Sequence, residues 1–290
     1  MAEIQFAAPE SIGQAIKILS SAKGKSKILA GGTDLLVQMR SGRIEPSLIV
    51  DIKNIPELTE IKKEKSGYRI GAAVSGAKLA ENKIVKKNWP GVVEALELIG
   101  STQIQGRASL GGNLCNGSPA ADSVPAMIAA SVTCKIAGPK GRRSAKVEDI
   151  IIAPGKTSLK KGEFIVSFLL PNKPKRSSEA YLRLIPRTEM DIAVVGAGVS
   201  LTLDSTGVCT QARVGLGAIA PTPLLVKEAS KALIGTVIDE QHLDKLAEAC
   251  RAACNPIDDM RGTVEYRTKV AGVLARRAAK IALERIRSGK

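Results

Sequence analysis

Apolar residues recur at helical spacing in SIGQAIKILSSA (11–22), where Ile12, Ala15, Ile16 and Leu19 fall on one face and predict an amphipathic helix. SKILAGG (26–32) reads as a short buried strand ending in two glycines, and TDLLVQMRSG (33–42) as a short helix with Thr33 or Asp34 at its N-cap. SLIVDIKNI (47–55) predicts a strand, and ELTEIKKEKSGYRIGAAVS (57–75) two strands around a Ser-Gly turn. GAKLAENKIVKKN (76–88) and GVVEALELIGS (91–101) predict helices. Val124–Val132 is apolar throughout and fits either a helix or a strand; SVTCKIAG and RRSAKVEDII beyond it alternate like antiparallel strands. Prolines, serines and basic residues cluster in PNKPKRSSEA (171–180) and suggest a domain boundary. After it, DIAVVGAGVSLTLDSTG and CTQARVGLGAI predict a strand pair, and 226–288 is helical, so the expected domains are 1–172 and 178–290.

With 290 residues the chain is long enough for two ordinary domains, and 2% aromatic content makes the core aliphatic. No apolar run is long enough to span a bilayer, and the N-terminus has no basic and apolar leader pattern, so a cytoplasmic protein is expected. Five cysteines occur without a C-x-x-C pair and read as small buried hydrophobes in a reducing compartment, with no metal site. The net charge of +15 suggests an anionic partner or a solvated basic surface. Nucleic acid is disfavoured, because single-strand binders stack bases on aromatic side chains that are scarce here.

The candidate chemistry lies in two glycine turns, LAGGTDLL (29–36) and SLGGNLCNGSPAAD (109–122). Glycine lets backbone approach a ligand closely, and free N–H groups at a helix start favour a phosphate. Two such turns suit a two-phosphate ligand, balanced by N–H dipoles rather than by a lysine. Other motifs fail on spacing. GKTS (155–158) lacks the first glycine of a P-loop, since Ile150 stands there; GAGVSL (196–201) has Leu201 for the third glycine of a dinucleotide turn; and the single histidine, His242, lies in a polar stretch.

ILAGGTDLL, LIVDIKNIPEL, IGSTQIQGRASLGGNLCNGSPAADSVPA and YLRLIPRTEMDIAVVGAGV, in this order, resemble the FAD-binding medium subunit of molybdenum hydroxylases, the family of aerobic carbon monoxide dehydrogenase and xanthine dehydrogenase. The resemblance implies an α+β fold: a two-subdomain FAD-binding domain of the vanillyl-alcohol-oxidase type, then a C-terminal domain with a small antiparallel sheet and helices. It implies a flavin diphosphate held by Leu29, Ala30, Gly31, Gly32, Thr33, Asp34, Leu35 and Leu36 and by Ser109, Leu110, Gly111, Gly112 and Asn113. Asp122 would bond sugar or ribityl hydroxyls. Ile99 and Ile165 would border the flavin, with Arg183 and Tyr181 nearby. It further implies partners, a [2Fe–2S] small subunit and a molybdopterin large subunit paired into a dimer of heterotrimers, and an external electron acceptor (NAD, a quinone or O2), with no catalytic side chain of the chain's own. A stand-alone FAD oxidase, with flavin tethered through a residue such as Cys115, is the competing enzyme reading; a basic nucleic-acid-binding protein is the other.

Overall fold

Ser11 accepts a hydrogen bond from the Gln14 N–H at 3.2 Å and so starts the helix Ile12–Ser21, whose Ala15 and Leu19 are buried. The helix packs on a parallel sheet in the spatial order Gln5–Ala7, Leu48–Asp51, Ser26–Leu29. The middle strand, LIVD, is apolar because it is covered on both sides. The structure is a computed structural model describing residues 4–289; residues 1–3, where the sequence reading looked for a leader pattern, and residue 290 lie outside it.

A second, antiparallel sheet runs Ile61–Glu64, Gly67–Gly71, Phe164–Pro171, Thr133–Gly138, Gly141–Lys146. Its central strand, FIVSFLLP, is almost wholly buried and shows no period-two alternation. The outer strands, IKKE and GRRSAK, carry cations that oppose edge-to-edge pairing. Helices Pro90–Glu97, Leu110–Cys115 and Ser123–Ala129 enclose a core that includes Trp89, Leu96, Leu110, Leu114, Met127 and Phe168. The apolar stretch after the second glycine turn is therefore a helix. The expected single helix over 76–88 is two, Gly76–Glu81 and Lys83–Asn88, because the Asn82 side chain accepts from the Val85 N–H at 3.1 Å and restarts the chain as a new N-cap.

The last sheet is antiparallel, in the order Ser177–Leu184, Val195–Leu203, Cys209–Gly217, Leu224–Leu225. Its first strand begins inside the expected boundary segment and lies in the C-terminal domain's sheet. The helical region beyond is Lys227–Lys231, Glu240–Ala252 and Val264–Ser288, the last capped by the Thr263 side chain and ended by Gly289 in the left-handed conformation. GAGVSL lies within this sheet. A Cβ at Gly198 would stand 2.8 Å, and one at Gly215 2.3 Å, from the carbonyl oxygen of Pro125. The glycines thus make a flat seat on which the helix Ser123–Ala129 rests. Arg213 fastens the same joint, donating from Nε to the Ile128 carbonyl at 2.9 Å and pairing with Glu148 at 2.9 Å.

Among the described residues, no helix is long and apolar enough to cross a membrane, no group of three His, Cys, Asp or Glu could hold a metal, and all five cysteines are free.

Candidate functional site

The strand Ser26–Leu29 runs straight into Ala30-Gly31-Gly32, and the chain then enters the helix Leu35–Arg40. Asp34 occupies the N-cap without making a side-chain cap bond. The backbone N–H groups of Gly31, Gly32, Thr33, Asp34 and Leu35 have no acceptor among the described residues, so five donors sit together on one turn. Leu29 and Leu36 pack beside Gly32, whose φ of +79° needs glycine.

The second turn is built differently. Ser109 caps the helix Leu110–Cys115, so the glycine pair expected in a turn lies in the first helical turn. Gly111 donates its N–H to the Ala72 carbonyl (3.1 Å), Gly112 to the Ser109 hydroxyl (3.1 Å), and Asn113 to the Ser109 carbonyl (2.9 Å). Asn113 Oδ1 accepts from both the N–H (3.1 Å) and the hydroxyl (2.7 Å) of Ser123, which fixes the amide and leaves its Nδ2 as the free donor.

The two turns meet. A Cβ at Gly31 would lie 2.0 Å from the Arg107 carbonyl oxygen, and Gln38 of the helix Leu35–Arg40 donates to Asn116, just past the helix Leu110–Cys115, at 2.9 Å. Together they wall a cleft of about 410 Å³. Of the expected site residues, Ala30, Gly31, Gly32, Thr33, Asp34, Leu35, Ile99, Ser109, Gly111, Gly112, Asn113 and Ile165 line it. Leu29, Leu36 and Leu110 do not; the first two support the turn and Leu110 belongs to the core.

Asp122, Tyr181 and Arg183 also stand apart from the cleft lining. They form a buried cluster of their own. The Tyr181 hydroxyl donates to one Asp122 oxygen at 2.9 Å, and Arg183 pairs with the other at 2.8 Å. Burial pushes the Asp122 carboxyl up, while the Arg183 guanidinium and the Tyr181 hydroxyl pull it back; burial and the adjacent carboxylate raise the Tyr181 phenol. Each Asp122 oxygen keeps one lone pair free, and the buried Arg183 Nε has no acceptor among the described residues. Spacing alone did not signal that Asp122 would be held by residues about sixty positions later.

Cys115 corrects the reading of all five cysteines as buried. It is exposed and lines the cleft, and Cys254 is only half-buried. The unforeseen polar members of the lining include Lys27, Gln38, Asn116, Lys160 and Lys161. Lysines are thus present where a balance by N–H dipoles alone was expected. Lys160 and Lys161 come from the turn before Phe164–Pro171, more than 120 positions beyond the first glycine turn, and no local pattern marks them.

An arrangement of five free backbone N–H groups, a fixed amide and apolar walls at Ile99 and Ile165 suits an extended ligand with an anionic centre and a flat apolar group. Residues 2–173 match a family model described as the FAD binding domain in molybdopterin dehydrogenase, and residues 180–282 one described as the CO dehydrogenase flavoprotein C-terminal domain. The carbon monoxide dehydrogenase medium chain of Afipia carboxidovorans is 34% identical over 97% of this chain and 96% of its own length. The xanthine dehydrogenase FAD-binding subunit of Escherichia coli O157:H7 is 31% identical over 89% and 88%. A solved structure of reconstituted CO dehydrogenase from Oligotropha carboxidovorans superposes with a TM-score of 0.93 at 33% identity, covering 98% of each chain. Sequence, fold and cleft agree, and the chain belongs to the FAD-binding medium subunits of the molybdenum hydroxylases, a family of oxidoreductase flavoproteins.

Proposed function

We propose that the chain is the electron-transferring subunit of a cytoplasmic, multi-subunit molybdenum hydroxylase, and that the cleft between its glycine turns holds FAD. The partners in this reading are a [2Fe–2S] small subunit and a molybdopterin large subunit in a dimer of heterotrimers, and the acceptor is NAD, a quinone or O2. The observation that carries it is the first turn's row of unpaired N–H groups facing the second turn across one cleft. Unpaired backbone donors hold a diphosphate without moving, which FMN does not offer them. Gly31 to Leu35 would bind the phosphates, Asn113 would add a side-chain donor, and Ile99 and Ile165 would cover the apolar rings. Asp122, which stands outside the cleft lining, would bond a ligand hydroxyl through a carboxylate lone pair that Tyr181 and Arg183 leave free. Bound there, FAD supplies the redox chemistry; the protein binds and orients it. The division into an FAD-binding domain, 1–172, and a C-terminal domain, 178–290, is part of the same reading, supported by one hydrophobic core drawn wholly from residues beyond the segment and two drawn almost wholly from residues before it, Tyr181 being the buried exception.

The test is chemical. Purified protein should be yellow and should release its flavin on acid precipitation, and chromatography of the supernatant should show FAD. FMN in the supernatant, or colour retained in the pellet, overturns the assignment.

A further inference from the structure

The turn that brings Lys160 and Lys161 to the cleft is fixed in place. Glu163 accepts the Lys160 N–H at 2.9 Å and is held in turn by two Arg143 contacts of 2.9 and 2.8 Å. Gly162 has φ +78°, and a Cβ there would meet the Ser20 hydroxyl at 2.5 Å, so the turn is wedged against the first helix. Lys160, Lys161 and, from the strand Ser26–Leu29, Lys27 all line the cleft, and none has a carboxylate within ion-pair distance among the described residues. Elsewhere the chain's cations are often neutralised internally: Arg276 and Lys280 share Glu240, Arg285 pairs with Glu94, and Lys173 with Glu179. The acids at the cleft are Glu163, already taken by Arg143, and Asp34. The cleft therefore carries surplus positive charge in addition to its N–H donors.

We propose that the Lys160–Lys161 turn, with Lys27, is a charge-reading arm of the cleft that selects a phosphate-bearing ligand over its neutral counterpart. The proposal rests on the reading of the cleft as the FAD site and assigns to side chains a share of the recognition that the two glycine turns do not carry. A rigid turn presenting two unpaired ammonium groups attracts a dinucleotide's phosphates but offers nothing to riboflavin. Screening by salt follows, because the lysines are exposed.

The full-length apo chain decides the matter by equilibrium titration with FAD and with riboflavin and by competition with ADP, each at low and at physiological salt. K160A/K161A should weaken FAD and ADP about ten-fold at low salt, the scale of two part-exposed charge pairs, and less as salt rises. Riboflavin binding should not change, K160R/K161R should restore FAD and ADP, and the thermal midpoint should stay at the wild-type value because the substituted side chains are exposed. An FAD affinity unaffected by the double alanine substitution, or a parallel loss of riboflavin, overturns the proposal. A wild-type chain that binds neither FAD nor ADP overturns the cofactor reading itself, and this proposal with it.

Discussion

Gly31-Gly32 and Gly111-Gly112 each precede or open a short helix, yet the first turn keeps its N–H groups for an outside acceptor and the second spends its own inside the fold. The helix after the first turn, Leu35–Arg40, has no buried residue, with Val37 61% exposed; the helix of the second buries Leu110, Gly111 and Leu114. In the proposed function the first turn is the ligand cradle. The other is a joint that sets the cradle's opposite wall. Gly31 and Gly111 both pack closely on backbone, against the Arg107 and Ala72 carbonyl oxygens, so the difference between the two glycine pairs lies in their N–H groups, free at the first turn and bonded within the fold at the second.

The largest effect expected comes from the surroundings of the second turn. Asp122→Ala leaves the Arg183 guanidinium, 4% exposed, without its carboxylate, and should cost about 3–5 kcal/mol of unfolding free energy by chemical denaturation, besides weakening FAD. Asp122→Asn, which keeps an acceptor, should lose less. An alanine variant as stable as wild type would show that the cluster is not a support and would leave Asp122 a ligand contact only.

Next comes the contact between the two turns. Gly31→Ala puts a methyl group 2.0 Å from the Arg107 carbonyl oxygen, backbone that does not swing away, and should destabilise by about 3 kcal/mol, the upper end for overpacking. Gly112→Val should behave in the opposite way. A Cβ there meets only the Ser109 hydroxyl at 3.3 Å, so stability should fall by about 1 kcal/mol at most while FAD content of the purified protein collapses, because the added atoms enter the cleft. If the two glycine variants lost stability and flavin in the same proportion, the distinction between the packed Gly31 and the cleft-facing Gly112 would be wrong.

The smallest effect concerns pH. Arg143 and the Lys160 N–H hold the Glu163 carboxyl down to about 2, from the usual glutamate value near 4.5. A carboxyl lowered on folding contributes stability above the unfolded value and loses it as pH falls through the folded one. Acid unfolding followed from pH 4.5 downwards should therefore be shallower in Glu163→Gln than in wild type, by a small margin because the pair is partly exposed.

Much of this was legible in the order of residues. The amphipathic first helix, the short strand running into Gly31, the strand pair over 191–219 and the helical C-terminal region all follow local periodicity. Phe164–Pro171 has no alternation because both its faces are covered, and Asn82 breaks a helix whose apolar pattern continues past it. GAGVSL read as part of a strand rather than a dinucleotide turn, and so it is, but nothing local showed that Gly196 makes room for Tyr181 and Gly198 for Pro125.

The sequence by itself determined which segments could free backbone donors, which could hide an apolar face, and to which family the chain belongs, because turn chemistry and hydrophobic period act over a few residues. Only the tertiary structure decided that the second turn's N–H groups are used internally, that Asp122 is gripped by Tyr181 and Arg183, and that Lys160 and Lys161 share a cleft with Gly31. Those outcomes depend on which distant segments the sheets bring into contact, and a hydrogen bond or an ion pair forms only when its partner arrives within about 3 Å.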